Sequence, residues 1–384
     1  MNAPWKSTRL GKVFKSRRTR GHAGLPTLSV TMNGGLVARD LLERKTDTNL
    51  DPEEHLFVKR NDIAYNMMRM WQGALGLAHH DAIVSPAYIV LQPTNEIDPL
   101  FAEYLFKTPR FIHLFWAYSY GLTSDRLRLY FKDFGLIPCE LPPLAEQKRI
   151  AEILSTWDRA IETTEKLIAN SEAQKKSLMQ QLLTGKKRLP GFGGEWKLYR
   201  LSELENLGHV HLGRGNVISR KDISSTPGPY PIYSSSVKGR GLFGTYGNYM
   251  FEEELITWSV DGGGDFFYRP KHKFSVTNVC GWMRLDNSAI SYLFLAEQLR
   301  FLHSSLNFDY QTKAHPSVIR QVYVLGIPPL DEQRAIGETL MVASLALVSL
   351  QSALCRLKTE KSALMQQLLT GKRRVKIKGE AQAA

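Results

Sequence analysis

The sequence contains little cysteine. Its 384 residues include three, Cys139, Cys280 and Cys355, which are widely separated and form no Cys-x-x-Cys pair. This spacing excludes a disulfide framework and a zinc site of the usual pattern. So few cysteines are typical of a protein from a reducing compartment.

Catalytic motifs are also missing. The sequence has no GxxxxGK(S/T) phosphate loop, no GxSxG or HExxH motif, and neither the FxGxG nor the Asn/Asp-Pro-Pro-aromatic motif of a base methyltransferase. The pair His79-His80 has no third ligand at helical spacing, so it predicts no metal site. We therefore expect a binding protein that has no catalytic residues and no metal or cofactor of its own.

Targeting and membrane segments are not expected either. Seven Lys and Arg residues interrupt the first 20 positions, which does not resemble a signal peptide. The most apolar window, Thr339–Leu350, is shorter than the roughly 18 to 20 residues that cross a bilayer. These features predict a cytoplasmic protein without a membrane span.

The charge is predominantly of one sign. There are 50 Lys and Arg residues against 37 Asp and Glu residues, which gives a formal net charge of +13. Such an excess favours a polyanionic partner, most often nucleic acid. An ordinary basic surface is compatible with the same number, so charge alone leaves the two alternatives equal.

An internal repeat organises the chain. The segment 141–154, LPPLAEQKRIAEIL, recurs at 327–340 as IPPLDEQRAIGETL, and LMQQLLTGKKR at 178–188 recurs at 364–374 as LMQQLLTGKRR. Both blocks recur after 186 residues, so one element has been duplicated whole. Trp5-Lys6 and Trp196-Lys197 begin the two halves in a similar way. The chain therefore reads as variable segment, repeat, variable segment, repeat.

Each repeat is predicted to form one long helix. A Pro-Pro pair precedes it, Thr-Gly-Lys follows it, and the roughly 40 residues between them would extend about 60 Å. Apolar residues recur along one face at the 3.5-residue spacing of a coiled coil, and we call these positions the seam. The seam of the first copy is Ile150, Leu154, Trp157, Ile161, Thr164, Ile168, Ser171, Lys175, Leu178 and Leu182. The seam of the second copy is Ile336, Leu340, Ala343, Leu347, Leu350, Leu354, Leu357, Lys361, Leu364 and Leu368.

A helix of this length with one apolar stripe needs a partner. The nearest one is the other copy, and an antiparallel pair would relate the two halves by a pseudo-twofold axis. The alternative is that each helix packs on its own domain. The fold class is predicted as α+β, with two globular domains at 1–143 and 189–329. The helical segments are predicted at 144–188 and 330–374, and a basic tail at 375–384.

Several strands and helices are predicted within the variable segments. Runs rich in β-branched and aromatic residues predict strands at Ile83–Leu91, Leu255–Val260 and Phe274–Val279. Helices are expected at Pro99–Lys107 and Ala289–His303.

Basic, aromatic and hydroxyl side chains recur in loop-like sequence of both segments, where such groups grip phosphates and reach base edges. The candidates in the first segment are Arg17, Arg18, Arg20, Asn66, Arg69, Gln72, Tyr120, Arg126 and Arg128. Those in the second are Arg214, Ser234, Ser235, Ser236, Lys238, Arg240, Arg269, Lys271, Lys273, Tyr310, Gln311 and Lys313. The basic helix ends at 186–188 and 372–374 are further places for this charge. Taken singly, each residue is more often a solvated loop charge than a ligand contact.

These features resemble the specificity subunit of a type I DNA restriction-modification system. The resemblance covers nearly the whole chain and is carried by PPLAEQ at 142–147, PPLDEQ at 328–333, and LMQQLLTGK with a Trp-Lys start in both halves. Further similar stretches are DIAYNMMRMWQGALG at 62–76, VSPAY at 84–88, PIYSSS at 231–236 and NVCGW at 278–282. The first seam is more polar than the family pattern, which leaves its interior packing open.

The resemblance implies two target-recognition domains held apart by two antiparallel helices. Each domain would read one half of a split, asymmetric site in double-stranded DNA, and the helices would set the unread spacer. Two modification (methyltransferase) subunits and the restriction subunits would be the protein partners, and S-adenosylmethionine, ATP and magnesium would belong to them. The alternative is a coiled-coil interaction scaffold with incidental DNA binding.

Overall fold

A computed structural model describes residues 4–42, 50–123, 126–236, 238–261, 265–306 and 313–376. The chain divides into two units, of which the first contains Met1–Thr163 and Leu354–Ala384 and the second contains Thr164–Ala353. Each unit thus combines the whole of one variable segment with one end of each long helix.

The first unit contains two four-stranded sheets and short helices. Its strands are β1 (Lys6–Arg9), β2 (Phe14–Arg17), β3 (Thr27–Thr31), β4 (Gly35–Ala38), β5 (Leu56–Val58), β6 (Ile63–Asn66), β7 (Leu75–Leu77), β8 (Ala82–Val84), β9 (Tyr88–Pro93) and β10 (Pro138–Leu141). Its short helices are α1 (Leu10–Val13), α2 (Pro99–Phe106), α3 (Pro109–Ala117) and α4 (Phe131–Phe134). The strand orders are β2-β9-β6-β7 and β4-β3-β8-β5, and β1 pairs separately with β10.

Aromatic side chains fill the centre of the first unit. Phe14 on β2, Phe106 on α2, Phe115 on α3 and Phe134 on α4 are all fully buried. Phe106 has its ring centroid 5.6 Å from Phe14, 5.5 Å from Phe115 and 5.8 Å from Phe134. Burial of each ring contributes roughly 2–3 kcal/mol, so this cluster fixes the short helices on the sheet.

The second unit contains one six-stranded sheet with short helices. Its strands are β11 (Lys197–Arg200), β12 (Val210–Arg214), β13 (Tyr230–Tyr233), β14 (Leu242–Tyr246), β15 (Phe251–Ser259), β16 (Phe266–Val276), β17 (Cys280–Leu285) and β18 (Val324–Ile327). Its short helices are α6 (Leu201–Asn206), α7 (Arg220–Ser225), α8 (Tyr292–His303) and α9 (Pro316–Val322). The sheet order is β12-β17-β15-β16-β13-β14, and β11 pairs separately with β18.

Trp258 on β15 anchors the second core. The indole is 1% exposed, stacks on Phe266 with ring centroids 5.9 Å apart, and donates from Nε1 to the carbonyl of Ala314 at 2.9 Å. A side chain at Gly281, on the neighbouring strand β17, would place its Cβ 2.2 Å from this ring. Glycine is therefore required there.

The long helices are α5 (Leu144–Leu182) and α10 (Leu330–Leu368), each of 39 residues. Both end shortly before a glycine in the left-handed region, Gly185 at φ 69° and Gly371 at φ 71°. After α5 the N–H of Lys187 donates to the carbonyl of Gln181 at 3.1 Å, and after α10 the N–H of Arg373 donates to that of Gln367 at 3.0 Å. These turns satisfy carbonyls that the last helical turn leaves free.

The start of α5 is held by the buried side chains of Glu146 and Gln147 and by the half-buried Arg374, which together we call the first helix clasp. Both carboxylate oxygens of the fully buried Glu146 accept from the guanidinium of Arg374 at 2.7 Å. The amide of Gln147 donates to the carbonyl of Pro142 at 2.9 Å and accepts from the N–H of Asp98 at 2.8 Å. Arg374 follows α10, so the clasp joins the start of one long helix to the end of the other.

The second helix clasp, formed by Glu332, Gln333 and Arg188, repeats this arrangement at the start of α10. Glu332 is fully buried, and both of its carboxylate oxygens accept from the Arg188 guanidinium. Gln333 donates to the carbonyl of Pro328 at 2.9 Å and accepts from the N–H of Ser291 at 2.9 Å. Each clasp pairs a fully buried carboxylate with a half-buried guanidinium, so its rupture would leave the carboxylate without a counter-charge.

One strand prediction is wrong. The run Ile83–Leu91 is divided between β8 and β9, which belong to different sheets. Ser85 turns the chain, because its carbonyl accepts from the N–H of Tyr88 at 3.0 Å and its hydroxyl accepts from that of Ala87 at 3.2 Å. Pro86 has no N–H to donate, so the ladder stops at this point.

Candidate nucleic-acid interface

A tight turn after β6 places three predicted residues of the first unit together. The side-chain oxygen of Asn66 accepts from the N–H of Met68 at 3.0 Å. Arg69 donates from Nη1 to Oε1 of Gln72 at 3.1 Å. Gly73 ends the turn at φ 87°, a conformation that favours glycine. The arginine and glutamine are exposed, and both carry donors suited to phosphates or base edges.

A second loop lies beside this turn. Tyr120 and Arg128 exchange backbone hydrogen bonds of 3.0 and 2.9 Å, and the N–H of Leu129 donates to the carbonyl of Met67 at 2.9 Å. Tyr120 is 63% exposed, and Arg126 and Arg128 are exposed. The structure therefore brings these three predicted residues close to the turn after β6.

The basic N-terminal segment approaches the same edge of the sheet. In the register of the sheet, Arg17 at the end of β2 faces Val90, and Asn66 at the end of β6 faces Tyr88. Arg17 is engaged, since its Nε donates to the buried carboxylate of Asp62 at 2.5 Å. Arg18 and Arg20 are exposed, as are Arg69 in the turn after β6 and Arg126 and Arg128 in the second loop. All nine predicted residues of the first unit are described. Among the described ion pairs, Arg17 is the one arginine of this group that pairs with a carboxylate.

In the second unit the predicted serines lie on a closed loop between β13 and β14. The N–H of Ser234 donates to the carbonyl of Gly241 at 2.8 Å, and its hydroxyl accepts from Oγ1 of Thr277 at 2.9 Å. Ser235 is half-buried and Ser236 is exposed. The loop ends with Gly239, Arg240 and Gly241, all in the left-handed region.

Arg269 lies buried under this loop. It is 4% exposed, and burial lowers its pKa to about 10. Its Nη2 donates to the carbonyl of Arg240 at 2.5 Å, and its Nε donates to the hydroxyl of Thr257 at 2.9 Å. Arg269 was predicted to contact DNA. It lies instead beneath the loop that carries the candidate DNA contacts.

The other predicted residues of the second unit are dispersed. Arg214 donates to the carbonyl of Asn278 at 3.0 and 2.5 Å. Lys271 is exposed, Lys273 lies 3.9 Å from Glu252, and Lys313 pairs with Asp261 at 3.0 Å. Tyr310, Gln311 and the side chain of Lys238 lie outside the described residues.

All twenty seam positions of α5 and α10 are buried or half-buried, including the polar Thr164, Ser171 and Lys175. Neighbouring positions such as Glu165 and Lys166 are exposed. In the first unit, Ile150, Leu154 and Leu368 share one core. In the second unit, Leu182, Ile336 and Leu340 share another, with Leu178 packed against it.

The helix clasps were missed by the sequence analysis. Arg188 and Arg374 were grouped with the basic helix ends as places for DNA-binding charge, and both are instead bonded to buried glutamates. The repeat itself carried the signal. Pro-Pro-Leu-x-Glu-Gln recurs at the start of both helices, and an arginine follows Thr-Gly-Lys-Lys/Arg at the end of both. A buried glutamate at each helix start needs one such cation.

Two further findings concern membranes and metals. By length and composition alone α10 could cross a membrane, and 6% of its most apolar 18-residue window is buried; one such helix is weak evidence. The sequence analysis considered only the shorter Thr339–Leu350. Val342, Leu345 and Val348 form its exposed apolar face, at 66%, 60% and 60% exposure. Within the described ranges, no group of three His, Cys, Asp or Glu side chains could hold a metal ion.

Comparison with known proteins identifies the family. The family model for the type I restriction modification DNA specificity domain matches residues 3–172 and 194–348. A protein named as a type I specificity subunit of Mycoplasma pneumoniae is 27% identical over 212 residues, which cover 53% of this chain and 82% of that protein.

Solved structures share the fold. The S subunit of the type I restriction-modification system from M. genitalium superposes with a TM-score of 0.63 at 17% identity, covering 95% of this chain and 96% of that one. A chain from a study of complex assembly and conformational transition in the type I system has a TM-score of 0.52 at 16% identity, covering 96% and 98%.

Proposed function

Because the chain belongs to the type I restriction-modification DNA specificity family, we propose that each of its two units reads one half of a split, asymmetric DNA site. The chain is the sequence-specificity subunit of such a system and is not an enzyme. The proposal concerns how the recognition is divided: the domains at 1–143 and 189–329 recognise, and the segments 144–188 and 330–374 hold them apart.

One observation carries this proposal: the two units have the same helix clasp but different recognition loops. Glu146 with Arg374 and Glu332 with Arg188 are equivalent pairs after the 186-residue repeat. The loops differ at corresponding places: the strand pairings make the β3–β4 hairpin the counterpart of the β13–β14 hairpin, and residues 32–34 join the first whereas residues 234–241 join the second. Equal supports with unequal loops favour two half-sites of different sequence.

The exposed cations would provide affinity, and the amide and hydroxyl groups beside them would provide selectivity. Arginines such as Arg69 and Arg128 would neutralise phosphates and make binding depend on salt. Arginine prefers guanine, and asparagine or glutamine prefers adenine, when such side chains reach base edges in the major groove. Gln72, bonded to Arg69, is placed to share one recognition surface with it.

We propose that α5 and α10 run antiparallel as a coiled coil, related by a pseudo-twofold axis, and act as the ruler of the unread spacer. In the first unit Glu146 bonds Arg374 and Asp158 bonds Lys361, so rising numbers on one helix meet falling numbers on the other. In the second unit, Leu182 shares a core with Ile336. The half-buried seams support the same pairing.

The protein partners are proposed on the duplicated surface. Two copies of one methyltransferase subunit need two equivalent surfaces, and each unit has a cavity at its Pro-Pro turn, of about 390 Å³ at Pro142–Pro143 and about 340 Å³ at Pro328–Pro329. The exposed apolar face of α10 is not duplicated, so it does not meet this requirement. Restriction subunits would join the methyltransferase subunits in the cytoplasm. S-adenosylmethionine, ATP and magnesium would be bound by those partners.

The test changes the length of the ruler. Four residues inserted after Asn170 add about 6 Å of helix, nearly two base pairs at roughly 3.4 Å each. We expect the methylated motif of the co-expressed methyltransferase complex to keep both half-sites while its spacer changes by one or two base pairs. The same four residues inserted between Gly193 and Gly194, outside the helices, are the control. An unchanged spacer after the helical insertion would contradict the proposal.

A further inference from the structure

Arg269 is a buried cation for which no carboxylate partner exists among the described residues. Its planar group lies 3.6 Å from the ring centroid of Tyr233 and 5.0 Å from that of Phe267. Its hydrogen-bond acceptors are a hydroxyl, on Thr257, and a backbone carbonyl, of Arg240. Burying a charge without a counter-charge is costly, so this arginine does something that an apolar residue could not.

The bond to the Arg240 carbonyl identifies what Arg269 does. Arg240 has φ 54° and ψ 34°, between Gly239 at φ 58° and Gly241 at φ 84°. A residue with a side chain is disfavoured in this left-handed conformation. A Cβ at Gly241 would lie 3.0 Å from the Ser234 carbonyl and 3.3 Å from Nη2 of Arg269. The loop is therefore closed tightly over the buried guanidinium.

Fixing this segment has a consequence for binding. Two glycines beside Arg240 would otherwise allow many backbone conformations, and ordering them on contact with a ligand would reduce affinity. The Arg240 side chain is exposed and its Nη2 lies 3.3 Å from the carbonyl of Tyr268, so its position is defined before any ligand arrives. Ser236 is exposed on the same loop.

We propose that Arg269 is a positioning residue of the second unit, which fixes the described parts of the loop, 234–236 and 238–241, so that Arg240 and the serine hydroxyls meet the DNA half-site. Arg269 itself contacts no DNA. This inference rests on the proposed function, because it names how that loop acquires its geometry. Base preference in this half-site then depends on a side chain beneath the interface.

The test uses Arg269→Lys in the methyltransferase complex, with two readouts. Lysine keeps the charge but cannot bond the Thr257 hydroxyl and the Arg240 carbonyl with one planar group. Hydrogen exchange of the amides of 234–236 and 238–241 is expected to become at least tenfold faster, while β15 and β17 stay as in wild type. Affinity for duplexes carrying the methylated motif is expected to fall about tenfold, and affinity for unrelated duplexes to change less than twofold.

Three further variants make the result specific. Thr257→Val removes one acceptor and keeps the loop contact, so a smaller effect in the same direction is expected even if Arg269→Lys unfolds. On an Arg240→Ala background, Arg269→Lys should weaken specific binding by clearly less than the tenfold expected with Arg240 present, because part of its effect acts through that residue. Arg320→Lys is the matched control, since Arg320 bonds Glu205 on α6 and not the loop.

The outcomes separate the two claims. Unchanged loop exchange in Arg269→Lys, or additive losses in the double variant, would overturn the positioning role. Faster exchange with unchanged specific affinity would show that the loop is not at the DNA and would also overturn it. Absence of sequence-specific binding by the wild-type complex would instead refute the proposed function, and the inference with it.

Discussion

The two units differ in the polar contact that each makes further along its long helices, beyond the helix clasp. In the first unit, Asp158 on α5 accepts from the Tyr104 hydroxyl at 2.5 Å and from the ammonium of Lys361 on α10. Lys361 also lies 5.3 Å from the Tyr104 ring centroid. A single carboxylate thus satisfies two donors, and burial with this bond raises the pKa of Tyr104.

The second unit has no carboxylate at the corresponding position of its long helix. By the 186-residue repeat, Ser344 corresponds to Asp158 and Lys175 to Lys361. Glu297 on α8 corresponds to Tyr104, since each lies six residues after the residue bonded by the clasp glutamine. A cavity of about 220 Å³ lies between these side chains. Burial lowers the pKa of Lys175, and Glu297 only partly opposes this effect.

This difference separates the contacts that are the same in both units from those that differ. The helix clasps are the same in both units. The contact that Asp158 makes in the first unit is replaced in the second by different side chains around a cavity. One buried carboxylate oxygen of Glu297 has no hydrogen-bond partner. We expect both clasps to matter equally for stability and the contacts beyond them to matter unequally.

The largest expected effect is loss of a clasp arginine. Arg374→Met and Arg188→Met each leave a fully buried glutamate unpaired, which should lower the free energy of unfolding by about 3–5 kcal/mol in either unit. Denaturant unfolding of the full chain measures this. The matched control replaces both partners, Glu146→Leu with Arg374→Met, and should lose much less. A cost below 1 kcal/mol in one unit alone would contradict the equivalence of the clasps.

An intermediate effect is expected when the first unit is made like the second. Asp158→Ser leaves the Tyr104 hydroxyl and Lys361 without their shared acceptor, and should destabilise the chain by about 1–2 kcal/mol. Glu152→Ser, which removes an exposed carboxylate on the same helix, is the control and should cost about 0.5 kcal/mol or less. Equal losses from both changes would show that the half-buried contact of Asp158 is no stronger than a surface pair.

The smallest effect is expected from the reverse exchange. Ser344→Asp offers Lys175 a carboxylate and should stabilise the chain by about 1 kcal/mol at neutral pH. Because the pKa of Lys175 is lowered on folding, the unfolded wild-type chain binds more protons, so wild-type stability should rise as pH increases towards the lysine range. That rise should diminish in Ser344→Asp. Unfolding curves at neutral and alkaline pH that differ equally in both proteins would contradict this account.

Local patterns predicted the framework well. The positions that became buried along α5 and α10 follow a 3.5-residue spacing, and both helices end before the predicted glycines, because periodicity and caps depend on near neighbours. The break at Ser85-Pro86 was missed since the apolar run continues through it. Its two halves join different sheets, which no short-range pattern reports.

Contacts between distant residues could not be predicted in the same way. Arg374 bonds Glu146, which lies 228 positions earlier, and Arg17 bonds Asp62. Both arginines were predicted to supply charge for DNA binding, and both are paired with carboxylates of this chain. Arg269 was predicted to lie on a basic loop of its own, whereas it is buried on strand β16. A basic side chain near glycine and serine has the same sequence signature whether it lies above a loop or beneath it.

The most direct test of two unequal loops on equal supports is the methylated motif itself. The chain should be expressed with its methyltransferase partner, and modified adenines should be mapped across the host genome. The account predicts a split motif, with two dissimilar half-sites and a spacer of fixed length. A continuous motif, or a palindrome with identical half-sites, would contradict it.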